Sequence, residues 1–139
     1  MKLSQKIIKT FENVAFPDYG LVNVVAKVDT GAYTGALHCT TITLEPSKAG
    51  GVLHFSPFDH PETTISTQDY VVGDVKSSNG EIQPRYFIRT IIVIQGEAYN
   101  IQLSLADRSE MRWPVLIGRK FLGKNKFLVD VNRAGDIVT

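Results

Sequence analysis

An aspartate, a threonine and a glycine follow a valine-rich run of the chain, as Asp29, Thr30 and Gly31 after residues 21–28. Gly31 permits a sharp turn in which the backbone approaches its neighbours closely. A carboxylate at a strand end can activate water when a second carboxylate lies against it, because the two then share one proton. The ionised member takes a proton from water while the other polarises the attacked carbonyl. The triplet is therefore a candidate for half of a hydrolytic site.

The same triplet is also typical of a plain polar turn, because Asp and Gly are among the commonest turn residues. A second Asp-Thr-Gly triplet is absent from the sequence, and 139 residues are too few for two lobes with one turn each. Two-carboxylate chemistry therefore needs a second copy of the chain. We expect a homodimer with the two Asp29 side chains at its twofold axis.

Strand signals dominate the chain and predict an all-β barrel or sandwich. One short helix is predicted near 118–123, with Gly123 as its C-cap. Residues 45–68 carry three prolines and two adjacent glycines, which predict a long surface loop or insertion within a single domain, 1–139. Gly96 marks a hairpin turn. Runs rich in β-branched and aromatic residues predict strands at 21–28, 37–44, 69–75, 81–95, 98–105, 127–131 and 136–138.

A second hairpin candidate is VKSSNGEIQPRYF, residues 75–87, with Asn79 and Gly80 at its tip. Asn-Gly is the strongest two-residue hairpin signal. A glycine-tipped hairpin could serve as a mobile flap over a substrate cleft. The alternative is a plain surface hairpin.

Composition bounds the class of protein. A hydrophobic fraction of 43% and a charged fraction of 21% are typical of a globular chain. Fifteen basic residues nearly balance fourteen acidic ones, which gives no support to nucleic acid or a membrane surface as a partner. The single cysteine, Cys39, suits a reducing compartment. No apolar stretch has the length of a membrane span or signal peptide, so a cytoplasmic location is expected.

Four segments occur in this order along the chain: KVDTGAYTGALHC (27–39), VKSSNGEIQPRYFIRT (75–90), LSLADRSEMRWPVLIGRKFL (103–122) and KFLVDVNRAG (126–135). Together they resemble the bacterial and archaeal family named for ATP-dependent zinc proteases. The resemblance covers the chain from about Gly20 to Asp136, with a poor match over 45–68. That family has a retropepsin-like fold and is associated with ATP-grasp ligases that modify ribosomal proteins.

The resemblance implies a closed, six-stranded acid-protease barrel with a short C-terminal helix and a flap hairpin. It implies that Asp29 is the catalytic aspartate and that Thr30 and Gly31 complete its turn, with Thr30 bracing the turn by hydrogen bonding. Residues 116–118 would pack behind this turn. The residues that would contact substrate beside the turn and in the flap are Ala32, Ser78, Asn79 and Gly80.

The stretch ADRSEMR, residues 106–112, belongs to the family signature, and Arg108 and Arg112 could bind an acidic substrate. The alternative is structural, because mixed charges at short spacing usually form exposed ion pairs of little energy. Family members often carry Arg where Tyr33 stands and Ser where Gly35 stands. If that arginine contributes to substrate binding or charge balance in the family, this chain is expected either to differ from the family in specificity or to lack activity.

Zinc is suggested only by the family's name. The candidate ligands are His38, Cys39, His54 and His60, but the sequence has neither H-E-x-x-H nor Cys-x-x-Cys. His38 and Cys39 are adjacent, so their side chains point to opposite faces of a strand. A nucleotide-binding loop is also absent from the sequence. Neither a metal site nor another cofactor is predicted.

The favoured hypothesis is an aspartic endopeptidase, or a related amide hydrolase, that uses an Asp29 dyad across a homodimer. Its substrate would be a peptide or polypeptide, with an acidic one as an option. One alternative is a non-catalytic module that binds peptides on the same barrel. Another is the metal-dependent hydrolase that the family's name suggests.

Overall fold

The structure is a computed structural model that describes residues 6–58, 60–76, 80–107 and 112–132. These ranges contain eleven strands, one short 3₁₀ turn at Pro17–Tyr19 and one α-helix. The elements are β1 (Lys6–Lys9), β2 (Phe11–Phe16), β3 (Leu21–Val28), β4 (Gly35–Ser47), β5 (Gly50–Pro57), β6 (Ile65–Thr67), β7 (Tyr70–Lys76), β8 (Ile82–Ile94), β9 (Glu97–Ala106), β10 (Val115–Ile117), α1 (Arg119–Lys124) and β11 (Phe127–Asp130).

Six strands close into a ring in the order β10, β3, β2, β8, β9 and β4. The ring is complete because β4 pairs back with β10, with Val115 opposite Leu37 and Leu116 opposite Ala36. The β10–β3 and β9–β4 pairs are parallel, and the other four pairs are antiparallel. The predicted six-stranded barrel of acid-protease type is therefore confirmed.

Alternation along each strand places apolar side chains inside this ring. In β3 the inward residues are Val24, Ala26 and Val28, and in β9 they include Ile101 and Leu103, all of them buried. This period of two is what a strand with one face in a core requires. In β8 the corresponding buried side chains are Ile88, Thr90, Ile92 and Ile94.

The β8–β9 hairpin turns at Gln95 and Gly96, which both have positive φ values, 52° and 80°. Two positive φ values give a turn whose twist matches that of the flanking strands. The strain at Gln95 is compensated by its side-chain amide, which donates to the Ile7 carbonyl at 2.9 Å and to Glu12 Oε2 at 3.0 Å. The hairpin predicted at Gly96 is confirmed.

Residues 45–68 were predicted to form a loop, and this prediction is wrong for most of the segment. Strand β4 extends into this segment as far as Ser47, and β5 and β6 both lie within it. Strand β5 pairs antiparallel with β4 on one side and with β6 on the other. Leu53 and Phe55 on β5 are fully buried, and the Phe55 ring packs edge-on against Tyr19, with centroids 5.7 Å apart. The buried apolar residues therefore outweigh the prolines, because Pro46 and Pro57 lie near the ends of β4 and β5 and Pro61 lies between β5 and β6.

Several other boundaries follow the sequence closely. The helix predicted near 118–123 is α1, but it runs to Lys124 with Asn125 as its C-cap, so the prediction of Gly123 as the C-cap is wrong and Gly123 lies within the helix. The flap candidate is the antiparallel β7–β8 pair. Strands β1 and β2 were not predicted, and β1 pairs in parallel with β11, which lies at the other end of the described chain. The predicted strand 136–138 lies outside the described residues. In the part of the chain that the structure describes, α1 is too short to span a bilayer and no other α-helix occurs.

Truncating an inward side chain of β8 should destabilise the barrel strongly. Ile92 is fully buried, so Ile92→Ala should lower the free energy of unfolding by about 2–5 kcal/mol. Ile82 lies on the same strand with 66% of its surface exposed, so Ile82→Ala should cost about 0.5 kcal/mol or less. Urea unfolding monitored by circular dichroism measures both, and equal costs would contradict the proposed core.

Candidate active site

The turn that carries Asp29 is anchored in the barrel at its first residues. Val28 is the buried last residue of β3, and its N–H donates to the Thr10 carbonyl at 2.9 Å. The N–H of Asp29 donates to the Ile117 carbonyl of β10 at 2.8 Å. The backbone of Asp29 therefore extends the β3–β10 pairing by one residue, while its side chain is half-buried at the barrel's end.

The turn then closes on itself through the aspartate. Asp29 Oδ1 accepts a hydrogen bond from the Gly31 N–H at 3.1 Å, and the Asp29 carbonyl accepts one from the Ala32 N–H at 3.2 Å. A Cβ at Gly31 would stand 3.3 Å from Oδ1, which is tighter than most real contacts. Glycine at this position therefore lets the carboxylate fold back over the turn and keeps its orientation fixed.

Arg119, the first residue of α1, holds the turn from outside. Its Nη1 donates to the carbonyls of Thr30 at 3.0 Å and Gly31 at 3.1 Å. Its backbone N–H donates to the Ala32 carbonyl at 2.8 Å. The guanidinium also lies over the Tyr33 ring, 5.7 Å from the centroid, where a cation is attracted to the ring face. Arg119 therefore binds three successive carbonyls of the turn, those of Thr30 and Gly31 through its side chain and that of Ala32 through its backbone N–H.

Sequence reasoning did not assign Arg119 a role in the site. Arg119 follows three apolar residues, 115–117, and Gly118 in the sequence, but the partners of its side chain lie almost ninety residues earlier in the chain. The predicted brace by Thr30 takes a different form, because the Thr30 carbonyl oxygen is what accepts the bond from Arg119.

Two glycines allow the segments behind the turn to pack backbone against backbone. A Cβ on Gly118 would lie 2.6 Å from the Tyr33 carbonyl oxygen and 2.8 Å from the Gly35 nitrogen. A Cβ on Gly35 would lie 2.1 Å from the Leu116 carbonyl oxygen. Such distances are not tolerated without movement of the strands. A serine at position 35, common in the resembling family, would therefore require β4 and β10 to separate slightly.

The other predicted substrate contacts are only partly described. Ala32 is half-buried within the turn, and Gly80 is exposed beyond β7 with a positive φ of 88°. Arg112 is exposed, with its guanidinium 5.4 Å from the centroid of the Trp113 ring. Ser78, Asn79 and Arg108 lie outside the described residues. The structure therefore brings together Asp29, Thr30, Gly31 and Ala32, and the remaining assignments stay predictions.

The candidate zinc ligands do not converge in the described part of the chain. Cys39 is fully buried, and burial raises the pKa of its thiol to about 12, with Asp107 adding to the effect. His54 Nδ1 lies 2.6 Å from Ser66 Oγ, and His60 Nδ1 lies 3.0 Å from Glu62 Oε1. Among the described residues, no three His, Cys, Asp or Glu side chains are grouped as metal ligands. These residues therefore do not fit a zinc site.

A cavity of about 630 Å³ opens beside the turn, where the chain leaves Tyr33 for β4. It lies between β8, β9 and α1, and the sequence analysis did not predict it. Its lining includes three cationic side chains, those of Arg89, Lys120 and Lys124. In the sequence, this cavity is indicated locally by the spacing of Lys120 and Lys124, because residues four apart share one face of a helix.

Comparison with known proteins gives a match over nearly the whole chain. The model of the RimB-like family, described as retropepsin-like aspartic endopeptidase RimB, matches residues 7–135. A crystal structure of a protein with unknown function from Legionella pneumophila subsp. pneumophila str. Philadelphia 1 superposes with a TM-score of 0.73 and 27% identity. That match covers 94% of this chain and 96% of the other.

Curated relatives carry a different kind of name. A "probable alpha-L-glutamate ligase" from Shewanella halifaxensis (strain HAW-EB4) is 35% identical over 131 residues, which are 89% of this chain and 28% of the relative. A protein of the same name from Desulfotalea psychrophila (strain LSv54 / DSM 12343) is 27% identical over 135 residues, which are 92% of this chain and 28% of that protein. The chain therefore spans less than a third of the length of these relatives.

Adding a methyl group at Gly118 should disturb the packing behind the turn. Gly118→Ala should lower the free energy of unfolding by about 1–3 kcal/mol, because the new Cβ meets backbone atoms that cannot rotate away. The matched control is Gly123→Ala in α1, where nothing lies within 4 Å of the new Cβ. That change should stabilise the protein by about 0.5–1 kcal/mol, because alanine favours a helix. Denaturant unfolding of both variants measures the difference, and effects of the same sign would count against this packing.

Proposed function

Because the chain belongs to the RimB-like family of retropepsin-like aspartic endopeptidases, we propose that it hydrolyses peptide bonds with Asp29 as the catalytic carboxylate. The observation that carries the proposal is the way the turn is held. Asp29 sits at the barrel's end with its backbone bonded to Ile117, its Oδ1 to Gly31, and the next two carbonyls to Arg119. A carboxylate held in this way is preorganised to orient a reactive water.

The second carboxylate of the proposed mechanism comes from a second copy of the chain. One Asp29 takes a proton from a water held between the two side chains, and the oxygen of this water attacks the peptide carbonyl carbon. The other Asp29 gives its proton to the carbonyl oxygen, so that a neutral tetrahedral intermediate forms. Collapse of this intermediate breaks the C–N bond: the leaving nitrogen receives the proton taken from water, and the Asp29 that had protonated the carbonyl oxygen takes a proton back from a hydroxyl group of the intermediate. The pair then holds one proton again.

We propose that the substrate is a peptide rich in acidic residues. The support is twofold: relatives that contain a segment like this chain are named glutamate ligases, and basic side chains line the cavity next to the turn. A ligase that adds glutamate produces acidic chains, which a peptidase of this kind would shorten. The β7–β8 hairpin, whose strands stay paired as far as Lys76 and Ile82, would cover the bound peptide.

Replacement of the proposed catalytic carboxylate gives a direct test. Asp29→Asn should lower kcat for cleavage of a glutamate-rich peptide by at least about a thousandfold, because an amide cannot take the proton from water. The asparagine Oδ1 can still accept the bond from Gly31, so the melting temperature should change little. Mass spectrometry of the products measures cleavage, and calorimetry measures folding. A folded Asp29→Asn variant with wild-type kcat would rule out this mechanism.

Mixing of subunits tests the dyad separately. If each site needs Asp29 from two chains, an equal mixture of wild-type and Asp29→Asn chains after subunit exchange should retain about a quarter of the wild-type rate. A protein that works as a monomer would retain about half. The rates are compared at equal total protein concentration, with sedimentation equilibrium to confirm dimers. Retention of half the rate would favour a single-chain site.

A further inference from the structure

The cavity beside the turn is positively charged on two of its sides. Arg89 lines it from β8, and Lys120 and Lys124 line it from α1. Asn100 and Gln102 on β9 add two amide groups, and none of the described lining residues is an aspartate or glutamate. Cations gathered around one cavity repel each other, and a bound anion would relieve that repulsion.

The lining also includes buried apolar residues. Ile101 and Phe121 both belong to it, and they are 4% and 7% exposed. The Phe121 ring is held by neighbours, with Phe127 stacked at 5.9 Å and Tyr99 edge-on at 5.7 Å between centroids. The cavity therefore combines a fixed apolar surface with polar side chains. Such a combination fits a ligand with an aliphatic stem and a charged end.

The cations are only partly neutralised by protein groups. Lys120 Nζ donates to Gln102 Oε1 at 2.9 Å, which is a neutral partner. Arg89 Nη2 donates to Asp69 Oδ1 at 3.1 Å, and both side chains of this pair are largely exposed. A guanidinium has five N–H donors, so this pair leaves others available. The region thus keeps a net positive charge and donors for a ligand.

We propose that this cavity binds a carboxylate carried on a short aliphatic stem. The carboxylate would accept charge-assisted hydrogen bonds from Arg89 and the lysines, and its methylene groups would lie on Ile101 and Phe121. The side chain of a glutamate within a peptide and a free dicarboxylate share this chemistry. As a subsite for a glutamate side chain the cavity rests on the acidic substrate proposed above, but binding here needs neither the Asp29 carboxylate nor a second protomer, so it can be tested apart from peptidase activity.

Titration calorimetry with two probes tests this site. Glutarate is added to the wild-type protein, and a blocked pentaglutamate peptide is added to the Asp29→Asn variant, which should not cleave it. Arg89→Gln and Lys124→Gln should each weaken binding about three- to tenfold, because each removes one charged donor. Added salt should weaken binding as well. Lys48→Gln is the matched control, because Lys48 is an exposed lysine in the β4–β5 turn and its loss changes net charge equally.

Asp69→Asn provides a test in the opposite direction. It removes the acidic partner of Arg89, so it should tighten binding while Arg89→Gln weakens it. In heteronuclear NMR spectra, the side-chain amide signals of Asn100 and Gln102 should shift as the probe is added, which locates the ligand in the cavity.

The two probes distinguish the two sources of the carboxylate. Variant-sensitive binding of glutarate alone would identify a free dicarboxylate as the ligand, and variant-sensitive binding of the peptide alone would identify a glutamate side chain. The proposal is overturned if neither probe binds. It is equally overturned if Arg89→Gln and Lys124→Gln affect binding no more than Lys48→Gln does. Absence of peptidase activity would alter none of these outcomes, because each one is a measurement of binding.

Discussion

The short strand β10 lies between β3 and β4 and pairs with both, and this insertion is the contact on which the site depends. It closes the six-stranded ring, and its last carbonyl, at Ile117, receives the N–H of Asp29. Directly after it, Gly118 passes so near the backbone of Tyr33 and Gly35 that no Cβ fits. Barrel closure and the position of the turn are therefore set by one segment, and neither can change without the other.

The positively charged side chains near the residues that follow Asp29 differ in what they contact. The guanidinium of Arg119 is engaged with two backbone carbonyls and the Tyr33 ring, so it acts as a structural clamp. Arg89 and Lys124 instead line an open cavity, where their charge is available to a ligand. The two groups are connected, because Arg119 and Lys120 donate their backbone N–H groups to the turn and α1 carries Lys120 and Lys124. A ligand in the cavity would therefore contact the same helix that holds the turn.

Features that depend on local signals could be predicted from the sequence. The hairpin at Gly96 and the helix after Gly118 are examples, because turn chemistry and helix ends are written in a few adjacent residues. Strand β5 was missed, because the prolines of segment 45–68 are a local signal whereas the burial of Phe55 depends on Tyr19, thirty-six residues earlier. The contacts of Arg119 with the turn and the cavity were missed for the same reason. The clamp joins α1 to the turn after β3, and the cavity forms where β8, β9 and α1 meet, so both depend on segments that are far apart in the sequence.

The bond between Asp29 Oδ1 and the Gly31 N–H does not by itself distinguish a catalytic turn from an ordinary one, because aspartates close polar turns in this way throughout proteins. An ordinary connection between two strands, however, needs no further support. Here Arg119 gives up side-chain freedom to bind two carbonyls of the turn, and Gly118 is required by close backbone contacts behind it. An ordered arginine at position 119 and a required glycine at position 118 both restrict the sequence, and neither adds apolar surface to the core. Restrictions of that kind are expected where the position of one group matters for chemistry, and the group that they hold in place is the Asp29 carboxylate.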